Sequence, residues 1–79
     1  MSADQIFPDP VLNAKPTAKV VYSVLDRRGE LTVEDLVEET GQSKRAVQEA
    51  LRELSEQGAV TAKSDITEPR RYVWQIADG

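Results

Sequence analysis

The amino-acid sequence predicts a mainly α domain closed by a small β-hairpin (α+β). Three observations predict it. Residues 32–60, TVEDLVEETGQSKRAVQEALRELSEQGAV, carry two helical periods broken by Gly41-Gln42-Ser43. Lys15 to Arg28 carries an earlier helical period. After Gly58, two short runs alternate apolar and polar, with a polar, proline-containing stretch between them. Period 3.6 marks helices and period 2 marks strands.

Met1 to Ala14 reads as an arm, set off from a domain over 15–79. Pro8 and Pro10 exclude a helix across it. Ile6, Phe7, Val11 and Leu12 are apolar for a free tail, which leaves three readings open: packing back on the domain, a dimer contact, or disorder. In the first helix, Lys15 to Arg28, Pro16 is a rigid first-turn residue and Thr17 a candidate cap. Val20, Val21, Val24 and Leu25 form its apolar stripe, with Ala18 and Tyr22 flanking. Gly29 terminates it, and Arg27 and Arg28 suit the negative end of the helix dipole, the alternative being a ligand contact.

Leu31 points inward as one residue pair of strand. Thr32 caps the second helix, Val33 to Thr40, with Asp35 completing a capping box. Leu36 and Val37 are its apolar pair. Glu34 and Asp35 suit a helix N-terminus, while Glu38 and Glu39 read as a solvated face. The third helix, Lys44 to Gln57, places Val47, Ala50, Leu51 and Leu54 at i, i+3, i+4, i+7, one face of the helix. Gly58 ends it at C′. Val60 to Ser64 and Arg71 to Ile76 are the strands of a hairpin turning at Asp65 to Pro69, with Tyr72, Trp74 and Ile76 on one face. Two helices joined by a short glycine-containing turn form a helix-turn-helix. Three helices followed by a hairpin is the order of a winged helix-turn-helix domain.

The chain has 79 residues, 39% of them apolar, enough for one compact core and no more. It has no Cys and no His, which excludes thiol nucleophiles, Ser-His-Asp triads, zinc ribbons and imidazole metal sites. No cofactor is expected, no small-molecule ligand is evident, and no carboxylate has a base or phosphate-cradling loop beside it, so the protein is not expected to be an enzyme. No apolar run approaches the roughly 20 residues that span a bilayer. No membrane role is expected, and a cytoplasmic location is the default.

Ten Lys and Arg stand against fourteen Asp and Glu, a net charge of −4. That total opposes nucleic-acid binding, which phosphate neutralisation dominates. The distribution favours it. Glu30, Glu34, Asp35, Glu38 and Glu39 crowd the second helix, whereas Lys44, Arg45 and Arg52 lie on the third. At 100° per residue the outer surface of the third helix divides into a basic-polar edge (Lys44, Arg45, Gln48, Arg52) and an acidic edge (Glu49, Glu53, Glu56). Arg and Lys donate to guanine O6 and N7, and Gln pairs with adenine N6 and N7. Ser43, Lys44, Arg45 and Gln48 supply such groups at the end that a recognition helix presents to bases. Ser43 also serves as N-cap. Arg45 with Glu49 and Arg52 with Glu56 can pair at i, i+4, at only about 0.3–0.5 kcal/mol. Lys63, Arg70 and Arg71 form a second basic group on the hairpin, in reach of a backbone or minor groove, although Arg71 can instead pair with an acid. The alternation of Trp74 with Tyr72 and Ile76 favours packing over base stacking.

The order TAKVVYSVL, LTVEDLVEETGQSKRAVQEALRELSEQGAV, RRYVWQI resembles winged helix-turn-helix transcriptional regulators of the MarR-like and ArsR-like kind, closest to the small archaeal versions, over about Pro16 to Ile76. The resemblance implies that Lys44, Arg45, Gln48 and Arg52 occupy recognition-helix positions and that Lys63, Arg70 and Arg71 occupy wing positions. Gln42, Val37 and Ala59 depart from its usual apolar, Ala and Leu residues. The expected function is a sequence-specific double-stranded DNA-binding transcriptional regulator, with a homodimer as a further expectation. The alternative is a winged-helix module that docks proteins without binding DNA.

Overall fold

The computed structural model describes Val11, residues 14–68 and residues 70–77. Three helices, α1 (Pro16–Arg28), α2 (Val33–Thr40) and α3 (Lys44–Glu56), precede an antiparallel pair, β1 (Val60–Ser64) and β2 (Tyr72–Ile76). The expected winged helix-turn-helix order is therefore present, with ends moved by a residue. Lys15 is extended and precedes α1 without a side-chain cap bond. Thr17 is thus not the cap, and Pro16 opens the helix with its fixed φ.

The capping box of α2 is complete. The Asp35 amide donates to Thr32 Oγ1 at 3.1 Å, and the Thr32 amide donates to Asp35 Oδ2 at 3.2 Å. Gly41, at φ 71°, ends α2 in the left-handed region that costs glycine nothing. The Ser43 hydroxyl accepts from the Ala46 amide at 3.1 Å and so starts α3. At its other end the Gly58 amide donates to the Ser55 carbonyl and the Ala59 amide to that of Leu54, the paired bonds of a Schellman motif.

Val47, Ala50, Leu51 and Leu54 are all buried, as their spacing predicts, and α3 packs chiefly on α1 and also on α2. Leu36 is fully buried beneath them, with Val37 partly buried at the edge. The stripe of α1 differs from the expected one. Ala18, Val21, Tyr22, Val24 and Leu25 face inward, and Val20 is 41% exposed. Ala18, Val21, Tyr22 and Leu25 follow the i, i+3, i+4, i+7 rule, and Val20 lies off that face. Burial, with Asp26 nearby, raises the Tyr22 phenol above its ordinary range.

The core also crosses the boundary drawn between arm and domain. Val11 is fully buried, Ala14 is buried, and the Ala14 amide donates to the Val11 carbonyl at 3.0 Å. Val11 therefore packs back on the domain. The arm's other apolar residues, Ile6, Phe7 and Leu12, lie outside the described residues.

Leu31 forms its single strand pair with Trp74, through reciprocal backbone bonds of 3.0 and 2.7 Å. This bridge ties the hairpin to the corner between α1 and α2. Val60 pairs with Ile76, Ala62 with Trp74 and Ser64 with Tyr72, so these six share one face of the hairpin. Trp74 and Ile76 pack against the core, but Tyr72 is 59% exposed. The alternation is as expected, yet Tyr72 lies towards the tip, away from the Val60–Ile76 end that enters the core.

Replacing Leu54 by Ala should lower the unfolding free energy by about 2–5 kcal/mol in urea, because a fully buried side chain leaves a cavity. A loss below about 1 kcal/mol would contradict the burial assigned to α3.

Candidate nucleic-acid interface

The apolar face of α3 is consumed by the core, so its polar faces are what remain for a ligand. Beside α3, on the side of the hairpin, runs an open groove of about 1180 Å³. Lys44, Gln48 and Arg52 line it from α3, Arg70 and Arg71 from the hairpin, and Leu51, Ala62, Tyr72 and Trp74 supply its apolar surface. Five of the eight candidate residues are thus gathered along one concavity. Trp74 contributes to both its wall and the core, which agrees with a packing role.

The other three candidates are placed differently. The oxygen of Ser43 is engaged as the N-cap acceptor. Arg45 is one of the most exposed cations of α3, its side chain 88% accessible and outside the groove lining. Lys63 alternates with Ala62 and so lies on the other face of the hairpin, where its Nζ meets Glu30 Oε2 at 2.6 Å. Its contact is a strut between β1 and the α1–α2 corner.

Most of the cations have carboxylate partners. Lys44 Nζ stands 4.0 Å from Glu34 Oε2, Arg45 Nε 3.4 Å from Glu49 Oε2, and Arg52 Nε 3.4 Å from Glu56 Oε2. The two i, i+4 pairs were legible in the sequence. The Lys44–Glu34 pair was not, because it joins two helices. Arg28 Nη1 likewise reaches Glu39 Oε2 at 2.8 Å, so Glu39 is a partner of α1 rather than only a solvated charge. Arg70 and Arg71 take part in no ion pair within 4.0 Å among the described residues. Glu34, Glu56 and Glu68 also line the groove, so its four cations face three carboxylates.

The loop that carries Arg70 and Arg71 is closed by its own hydrogen bonds. The Asp65 amide donates to the Arg71 carbonyl and the Arg71 amide to the Glu68 carbonyl, each at 2.8 Å. Asp65 Oδ1 accepts from the Thr67 amide at 3.0 Å and from the Thr67 hydroxyl at 2.9 Å. These bonds hold the Asp65 carboxyl below its ordinary range, with a smaller contribution from the charge of Arg71.

Residues 14–75 match the family described as the sugar-specific transcriptional regulator TrmB. The chain belongs to the TrmB family. The family is one of transcriptional regulators, and this domain has the helix and hairpin order of a winged helix-turn-helix. The resemblance read from the sequence therefore holds at the level of fold and regulator class. Among curated proteins no sequence matches it. Solved structures share the fold. The adhesin competence repressor AdcR of Streptococcus pyogenes superposes with a TM-score of 0.77 at 21% identity, covering 84% of this chain and 48% of AdcR. A mutant of ZitR from Lactococcus lactis gives 0.81 at 20% identity, covering 89% and 47%. BpsR of Bordetella bronchiseptica gives 0.80 at 17% identity, covering 87% and 49%. The chain spans about half the length of the solved structures it matches. Among the described residues, no helix is long and apolar enough to cross a membrane.

Because its folded-state pKa is lowered, Asp65 stabilises the turn of this TrmB-family domain above the ordinary carboxylate range. That contribution is lost as pH falls through the lowered value. In an NMR titration the Thr67 amide should therefore shift with a midpoint below that of Asp in an unstructured peptide, and Thr67→Ala should move the Asp65 midpoint up. An unshifted midpoint would remove the Asp65–Thr67 bonds as a feature of the turn.

Proposed function

We propose that this domain binds double-stranded DNA as a sequence-specific transcriptional regulator, with α3 in the major groove and the β1–β2 hairpin against the adjoining backbone and minor groove. The observation that carries this reading is the groove between α3 and the hairpin, which collects Lys44, Gln48, Arg52, Arg70 and Arg71 beside the exposed Arg45. A helix in the major groove and a wing beyond it leave one sugar-phosphate strand between them, and an open groove with cations on both walls accommodates such a strand. Gln48 and Arg45 are the residues proposed to read base edges. Lys44, Arg52, Arg70 and Arg71 are proposed to hold phosphates. Ser43 and Lys63 act indirectly, by starting the helix and bracing the wing. BpsR, a protein of the same fold, is described in terms of the regulation of its DNA binding by 6-hydroxynicotinic acid.

The net acidity of the chain is compatible with this reading. The acids beside α3 form exposed pairs, and pairs of that kind contribute only about 0–1 kcal/mol each. A phosphate can take their place at little cost. A single module makes few phosphate contacts, so the binding unit proposed is a homodimer that doubles them. A cytoplasmic location goes with the role. The family's description adds a sugar as the proposed signal.

Selection of bound duplexes from a random pool tests the reading, with two related half-sites as the expected outcome for a dimer. Lys44→Glu and Arg45→Glu should each abolish binding of the selected duplex at moderate salt. Retention of wild-type affinity in both would remove the model. Glu34→Gln should act in the opposite sense and strengthen binding by about threefold to tenfold at low salt, since it removes a carboxylate from the groove and frees Lys44. Unchanged or weaker binding would show that Glu34 does not oppose the phosphate.

A further inference from the structure

The groove between α3 and the hairpin has more apolar surface than a duplex can use. Val33, Leu51, Ala62, Tyr72 and Trp74 line it among the cations. A duplex keeps its bases stacked inside and turns sugars and phosphates outward, so a strand of it crossing the groove offers these side chains little to cover them. Tyr72 and Trp74 stand two residues apart on one face of β2, about 7 Å along the strand. Their cross-strand partners on that face, Ser64 and Ala62, are small and leave both rings uncovered from that side. Tyr72 is exposed, and Trp74 is half-buried, divided between the core and the groove wall. Arg70 and Arg71 belong to the same lining and take part in no ion pair among the described residues. An aromatic wall thus runs beside two guanidiniums that no carboxylate engages directly.

We propose that this groove binds single-stranded DNA, a second ligand besides the duplex. An unpaired strand exposes the flat faces of its bases together with its phosphates, the two surfaces that this groove complements. One base stacks on the exposed ring of Tyr72, and the next lies against the uncovered part of Trp74. Arg70 and Arg71 take phosphates on the hairpin side, and Lys44 and Arg52 take them on the α3 side. Three carboxylates in the lining offset much of the field of these cations, which leaves stacking as the larger contribution. Leu51 and Ala62 receive deoxyribose carbons. A ribose would bring its 2′-hydroxyl to the same apolar surface, where it loses water without gaining a partner, and this selects DNA over RNA. The groove is open, so a small molecule in it would stay largely hydrated, whereas pocket ligands are mostly enclosed. A strand can enter at one end and leave at the other. Every base has a π-face, so the strand is held with little sequence preference. Duplex and single strand use the same cations and exclude one another.

Trp74 is the single tryptophan of the chain, and its fluorescence is the readout. The full chain is titrated with oligo-deoxyuridylate, with oligo-uridylate of the same length, and with deoxyuridine monophosphate. A duplex recovered by random-pool selection serves as competitor. The deoxy oligomer should quench Trp74 and be displaced by the duplex. Tyr72→Ala should weaken its binding by about tenfold, the effect of one lost stack, while Tyr72→Phe should bind as the wild type because its ring stacks equally. Arg70→Gln should reduce the salt slope by about 0.7 and keep the full quench at saturation. Thermal melts by circular dichroism confirm that the variants are folded. Wild-type affinity in Tyr72→Ala, or binding without a quench, would overturn the aromatic wall. Equal affinity for the ribose oligomer would overturn the choice of DNA, and equal affinity for the monophosphate would overturn the strand. A wild-type chain that binds the selected duplex but not the deoxy oligomer would overturn this inference alone. Failure to bind either would remove the duplex-binding reading as well.

Discussion

Burial of the apolar face of α3 against α1 and α2 is the constraint on which the rest of this structure depends. Once Val47, Ala50, Leu51 and Leu54 are turned inward, the rotation of the helix is fixed. Lys44, Gln48 and Arg52 then fall on the flank that faces the hairpin, and Glu49 and Glu53 fall on the flank towards the start of α1. No separate device orients the basic edge. Two caps set the ends over which this rotation is defined: Ser43 at the start, where its hydroxyl takes the Ala46 amide, and the Schellman bonds about Gly58 at the close. A glycine in the left-handed region at position 41 lets α2 stop soon enough for Leu36 to sit beneath α3.

The hairpin is oriented by a different set of interactions. Two strands alone are marginal in water. Here β2 gains a second partner through the Leu31–Trp74 bridge, and the indole of Trp74 packs on the core from the same residue. Lys63 and Glu30 add a strut on the opposite face. Lys63, expected as a phosphate ligand, thus has a local reason to exist that involves no ligand. The consequence for function is geometric: the wing and α3 are both referred to the α1–α2 corner, so the width of the groove between them is a property of the packed core.

Local physics was legible in the sequence and tertiary proximity was not. The capping box of Thr32 and Asp35, the glycine terminators, the inward set of α3 and even the single strand pair at Leu31 follow from spacing over a few residues. The i, i+4 pairs of Arg45 and Arg52 follow in the same way. Lys44–Glu34, Arg28–Glu39 and Lys63–Glu30 do not, because each joins elements whose approach is decided by packing. The inward assignment of Val20 failed for a related reason. Several valines crowd α1, and composition alone does not say which arc the core selects. Tyr72 shows the limit of alternation, which gives the face a residue occupies but not whether anything covers that face.

The pairing of the cations bears on how an acidic domain can bind a polyanion. Had the acids near α3 been buried with their partners, releasing them would strand charges in a medium of low dielectric, at a cost of several kcal/mol per ion. They are not buried. The side chains of Glu34, Glu49 and Glu56 are each about two-thirds or more accessible, and those of Lys44, Arg45 and Arg52 are similarly open. In water such pairs are close to isoenergetic with their separated forms. In the proposed binding mode, the carboxylates therefore weaken the long-range attraction for DNA without locking the cations away from it. This arrangement sacrifices non-specific affinity, which depends on net field, more than specific affinity, which depends on contacts made after docking. Under the proposed function, a regulator that must leave non-cognate DNA to find its operator gains from that bias.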